Sequence, residues 1–141
     1  MDIRDHRCCI LVVEDEPGLR DVLVVALEAD GYSVASAANG RAALRQLRST
    51  PSTCLIVLDL TLPVMSGRHF RTLQLRDRSL AWIPIVVVSG ALEAAREAQD
   101  LGACAFVRKP VDVDELRATI AHLDCAQRPG HLDQRHAHAR H

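Results

Sequence analysis

The chain has 141 residues, 48% of them hydrophobic and 25% charged, with a formal net charge of -1. That length suits one domain, and the near-neutral charge gives no basic surplus that would make nucleic acid a direct partner. No apolar run approaches the roughly 20 residues of a membrane span, and Met1-Asp2-Ile3-Arg4-Asp5-His6-Arg7 lacks the apolar core of a secretory leader, so a cytoplasmic protein without membrane attachment is expected.

Cys9-Ile10-Leu11-Val12-Val13 is apolar at every position and runs into Glu14-Asp15-Glu16. Such a run reads as a strand buried on both faces of a parallel sheet. Pro17 suits the first turn of a helix. Leu19, Val22, Leu23, Ala26 and Leu27 recur at helical spacing and mark its inner face, and Asp30-Gly31 ends it. Tyr32 to Ala37 is a less apolar strand, which places it at an edge. After the Asn39-Gly40 turn, Ala43, Leu44 and Leu47 line a second helix, broken at Thr50-Pro51-Ser52.

Leu55-Ile56-Val57-Leu58-Asp59 is a second fully apolar run, and it ends on a carboxylate. Ser66 is placed to cap a helix from Gly67 to Asp77, with Phe70 and Leu73 facing in. Ile83-Pro84 restarts the chain in extended form, and Ile85 to Val88 is another apolar strand, ending on Ser89. Ala91 to Leu101 is helical by composition. Its inner face (Ala91, Ala94, Ala95, Ala98, Leu101) is nearly all alanine and buries little, so it is expected to be loosely held. Ala105-Phe106-Val107 leads to Arg108-Lys109-Pro110. Asp112 caps a last helix with Leu116, Ile120 and Leu123 inward. Five strands alternating with five helices predict a doubly wound α/β domain over 8–125, with a lead-in at 1–7 and a tail at 126–141.

The other candidates read as ordinary. The five cysteines show no Cys-x-x-Cys spacing and are expected to be free, small hydrophobes. Tyr32 and Trp82 are expected to pack, and Arg41, Arg45 and Arg48 to form a solvated helix face. His69 is expected to be exposed, and His131, His136, His138 and His141 lie in the tail.

The polar residues at the strand ends carry the chemistry. In a parallel sheet the carboxyl ends share one edge, so Glu14, Asp15, Asp59, Ser89 and Lys109 converge there. Three carboxylates about 4 Å apart repel by roughly 4 kcal/mol per pair at a dielectric near 20. Such a cluster binds a cation, keeps a proton or splays into water. Mg2+ is the cation that suits it best. A carboxylate can itself accept a phosphoryl group, and Asp59, alone at its strand end, is the candidate.

These blocks resemble the receiver domain of the two-component response-regulator family. The resemblance rests on Val12-Val13-Glu14-Asp15-Glu16-Pro17, on Leu58-Asp59-Leu60 with Pro63 and Gly67, on Val88-Ser89-Gly90, and on Gly102-Ala103 leading to Phe106-Val107-Arg108-Lys109-Pro110. It implies a flavodoxin-like five-stranded sheet in the order 2-1-3-4-5. It implies Asp59 as phosphoacceptor, and Glu14, Asp15, Asp59 and the Thr61 carbonyl around Mg2+, with Glu14 acting through a metal-bound water. It implies Ser89 and Lys109 on the phosphoryl oxygens, Phe106 as the aromatic that follows Ser89, and a cis peptide at Pro110.

The resemblance further implies a sensor histidine kinase or His-containing phosphotransfer protein as donor, a downstream target protein, and no external enzymatic product. It is compatible with a homodimer. A stand-alone receiver is expected because the residues after the last helix are too few for another domain. Two features depart from the family: Gly90 replaces a usual alanine, and Gly102 follows Ser89 by only 13 positions. The competing readings are a phosphorylation-independent interaction module of the same fold and a small cofactor-binding α/β protein. The second is disfavoured because the first loop lacks Gly-x-Gly-x-x-Gly.

Overall fold

The computed structural model describes residues 8–126, with side chains described as far as Leu123. The expectations for 1–7, for the tail beyond Ala126 with its histidines, and for the side chain of Cys125 lie outside the described residues. The elements are β1 (Cys9–Val13), α1 (Pro17–Ala29), β2 (Ser33–Ala37), α2 (Gly40–Ser49), β3 (Thr53–Asp59), α3 (Gly67–Arg76), β4 (Ile85–Ser89), α4 (Ala94–Asp100), β5 (Ala105–Arg108) and α5 (Val113–Ala126).

All ladders are parallel, and the sheet order is β2-β1-β3-β4-β5. β2 is therefore an edge strand, as its mixed composition predicts. The period of two along each strand divides the core. Ile10, Val12, Leu55, Val57, Val86 and Val88 pack with Leu23 and Leu27 of α1 and Leu116 and Ile120 of α5. Leu11, Val13, Ile56, Leu58, Ile85 and Val87 pack on the other face with α2, with Phe70 of α3 and with Ala98 of α4. Helices on both faces explain why β1, β3 and β4 are apolar at every position.

Local chemistry sets the helix starts. Glu16 accepts from the amides of Gly18 and Leu19 ahead of α1, Asn39 accepts from Ala42, Ser66 from His69, and Asp112 from Asp114 and Glu115. Each satisfies N–H groups that the first helical turn leaves unpaired.

Five expectations need correction. Val22 is 50% exposed and Trp82 is 60% exposed. Val22 falls at the rim of the α1 apolar stripe, and Trp82 sits in the α3–β4 loop with its indole N–H donating to the Ser79 carbonyl. Cys8 and Cys54 are not free but joined by a disulfide, with Cα atoms 5.4 Å apart. They meet because β1 and β3 are neighbours and the ladder shifts register between Cys9 and Ile10. Cys104 is exposed rather than buried. Tyr32 is buried, and the three α2 arginines and His69 are exposed, as expected.

The fifth correction concerns α4. It begins at Ala94 rather than Ala91, and only Ala94 and Ala98 are buried on it. Yet α3 fastens it at its middle and at its C-terminal end. Arg68 pairs with Glu97 through two hydrogen bonds. The buried Arg71 donates to the carbonyls of Leu101 and Gly102, where the helix carbonyls need donors and favour a cation. Gly102 takes a left-handed φ of 73°, which ends the helix.

Candidate functional site

Register brings the polar residues together. Asp59 is the last residue of β3, Ser89 the last of β4, Glu14 follows β1 and Lys109 follows β5. Val13 pairs with Leu58, Asp59 with Val88, and Ser89 with Arg108, so these ends stand level along one edge.

Glu14, Asp59 and Ser89 are buried, while Asp15 is exposed. Carboxylate oxygens of Glu14, Asp15 and Asp59 all lie within 4.8 Å of one another. Lys109 Nζ reaches both buried acids, at 2.9 Å from Asp59 Oδ2 and 3.0 Å from Glu14 Oε1. The second oxygen of each is also engaged. The Thr61 amide donates to Asp59 Oδ1 at 2.9 Å, and the Glu16 amide donates to Glu14 Oε2 at 3.0 Å.

Burial raises the Glu14 carboxyl above its ordinary range. The Glu16 amide and Lys109 pull it part of the way back, and the charge of Asp59 adds to the rise. Burial also works against the charge on Lys109, but the two carboxylates outweigh it and hold the ammonium above its ordinary value. The repulsion of this desolvated carboxylate pair is offset by one ammonium, a place where a hard cation can also serve.

The donor set fits Mg2+: three carboxylates at one point, hard oxygen donors, and Asp15 open to solvent on one side. Phe106 is half-buried, and the guanidinium of Arg108 lies 5.2 Å from its ring centroid. Ser89 Oγ accepts from the Ala91 amide at 3.2 Å. The Lys109-Pro110 peptide is cis.

Sequence reading missed three supports of this site. Arg20, on the first turn of α1, donates to the Glu14 carbonyl at 3.0 Å and fixes the acidic loop. Gly67 lets α3 close on β3: a Cβ there would stand 2.2 Å from the Asp59 carbonyl oxygen. Arg108 donates to the Ala91 carbonyl at 3.0 Å. An arginine on a helix or at a strand end carries no signal in sequence that sets it apart from a solvated one.

Comparison with known proteins agrees with this geometry. Residues 10–121 match the model of the response regulator receiver domain. Sporulation initiation phosphotransferase F of Bacillus subtilis is 32% identical over 112 residues, which cover 79% of this chain and 89% of that one. The transcriptional regulatory protein KdpE of Mycobacterium tuberculosis is 33% identical over 115 residues, 79% of this chain and 48% of the relative. The chain thus spans about half the length of the transcriptional regulators it matches.

Among solved structures, the chemotaxis response regulator CheY4 of Vibrio cholerae aligns with a TM-score of 0.75 at 26% identity, covering 82% of this chain and 98% of that one. A response regulator receiver protein from Pseudomonas putida aligns at 0.76 and 28%, covering 82% and 97%. The chain belongs to the response regulator receiver domain family of two-component signalling domains, and its buried acidic edge is consistent with a phosphoryl acceptor in phosphorelay signalling.

Proposed function

We propose that Asp59 accepts a phosphoryl group from a phosphohistidine of a sensor histidine kinase or a phosphotransfer protein. The domain over 8–125 then switches a downstream target protein or passes the group on. The observation that carries this reading is Asp59 itself: a buried strand-end carboxylate, 2.9 Å from Lys109 and clustered with Glu14 and Asp15. A similar chain is named a phosphotransferase, which supports a place in a phosphoryl relay.

In this reading a carboxylate oxygen of Asp59 attacks phosphorus in line, the P–N bond of the donor breaks, and its electron pair returns to the imidazole. Glu14, Asp15, Asp59 and the carbonyl of Thr61 would hold Mg2+, Glu14 through a water, and the ion would supply positive charge to offset that of the phosphoryl oxygens. Lys109 moves its hydrogen bond from Asp59 to a phosphoryl oxygen, and Ser89 donates its hydroxyl to another. Phe106 follows Ser89, which turns a local charge event into a change of surface. The turnover is confined to the domain's own phosphorylation and dephosphorylation, in the cytoplasm. Among the described residues no helix is long and apolar enough to cross a membrane.

Incubation with Mg2+ and a small phosphodonor, followed by intact mass, tests this. The wild type gains one phosphoryl group and Asp59→Ala gains none. Equal labelling of both, or of neither, overturns the assignment; labelling of neither favours the phosphorylation-independent module.

A further inference from the structure

Phe106 and Arg108 are two residues apart on β5, so their side chains share one face of the strand. Val107 between them enters the core with α1 and α5. The Arg108 guanidinium carbon lies 5.2 Å from the Phe106 ring centroid, within cation–π range. Its Nη1 donates to the Ala91 carbonyl at 3.0 Å. The Ala91 amide in turn donates to Ser89 Oγ at 3.2 Å. One exposed cation therefore links the aromatic ring to the segment that holds the Ser89 hydroxyl.

Little else holds that segment. Gly90 to Glu93 is exposed at every residue, and Leu92 is 92% exposed. The helix that follows has no side-chain N-cap bond. Among the described residues, Arg108 is the side chain from another element that hydrogen-bonds to Gly90–Glu93. Ser89 and Arg108 are also register partners, so a shift at one strand end is felt at the other.

We propose that Arg108 is a positioning residue: it latches the Gly90–Glu93 loop and the Phe106 ring in the arrangement seen here, and capture of a phosphoryl group at Asp59 breaks the latch. The inference rests on the phosphoacceptor reading above. When Ser89 follows a phosphoryl group, Ala91 is drawn with it and its carbonyl leaves Arg108. When Phe106 leaves its half-buried position, Arg108 loses the ring face on which it rests. Both contacts favour one state only, so together they bias the equilibrium against the phosphoryl-bound form. The latch sets how readily the acceptor charges.

The test compares wild type, Arg108→Gln, Arg108→Lys and the double variant Arg108→Gln/Phe106→Leu. Labelling by a small phosphodonor with Mg2+ is followed by intact mass. Hydrogen exchange at Gly90–Glu93 is followed in unphosphorylated protein without metal. Arg108→Gln should label roughly five-fold faster, the weight of one exposed cation–π contact and one exposed hydrogen bond, with faster exchange confined to that loop. Arg108→Lys should fall between wild type and Arg108→Gln. Adding Phe106→Leu should change the rate little further, since the two side chains act as one unit. A wild-type or slower labelling rate in Arg108→Gln overturns the latch alone. Failure of the wild type to label overturns the phosphoacceptor reading and the latch with it.

Discussion

Lys109 and Asp59, fifty positions apart in the chain, meet at 2.9 Å where β5 and β3 reach the same edge of the sheet. The same ammonium stands 3.0 Å from Glu14. It is the positive charge that lets two buried carboxylates coexist a few ångströms apart.

Removing that charge should cost stability. Lys109→Met leaves Glu14 and Asp59 buried without their cation, an uncompensated pair of the kind that destabilises strongly. Because Lys109 is partly exposed and water can enter, a loss of about 2 kcal/mol is expected in metal-free denaturant unfolding at neutral pH. The Lys109 charge is held above its ordinary 10.5, so its stabilisation is full below that pH and fades as pH rises through the folded value. The gap between wild type and variant should therefore close in strongly alkaline buffer. A gap that stays constant there would show that Lys109 acts through packing alone.

Acid should weaken the metal site sooner than ordinary carboxylates would. The Glu14 carboxyl is raised from 4.5, so the fold favours its protonated form until pH climbs through that higher value. Mg2+ then competes with a proton. Calorimetric titration across pH should show Mg2+ affinity starting to fall above pH 4.5 as the solution is acidified, with a flatter profile in Glu14→Gln. Parallel profiles for the two proteins would remove Glu14 from the metal site.

The approach of α3 to the acceptor strand should tolerate no side chain at Gly67. A Cβ there would meet the Asp59 carbonyl oxygen at 2.2 Å and Leu60 Cα at 2.8 Å, both backbone atoms that cannot swing away. Gly67→Ala is expected to cost about 2 kcal/mol, about 8 °C in Tm for a domain of this size. It should also slow labelling of Asp59, because the loop after that residue must shift. An unchanged Tm would mean that the loop yields freely.

Much of this protein was legible in its residues. The unbroken apolar runs in β1, β3 and β4 required a sheet covered on both faces, and the alternation of strands and helices required parallel pairing. Parallel pairing sends every strand end to one edge, so the company of Glu14, Asp15, Asp59, Ser89 and Lys109 followed from topology. The polar caps at Ser66 and Asp112 were equally local, since each side chain acts on amides two or three residues away.

Tertiary structure alone decided the contacts between distant elements. Nothing in the sequence sets Arg71 apart from a solvated helix residue, yet it is buried against the end of α4, whose last carbonyls need a donor. Cys8 and Cys54 became a bonded pair only once β1 and β3 were neighbours with a shift in register between them. Trp82, an apparent core residue, stands outside because Leu80 and Ile83 already fill the space beneath its loop. Periodicity reports which face of an element is apolar. It does not report which long side chain from another element will reach across to meet it, and Arg20, Arg71 and Arg108 are held in place by such reaches.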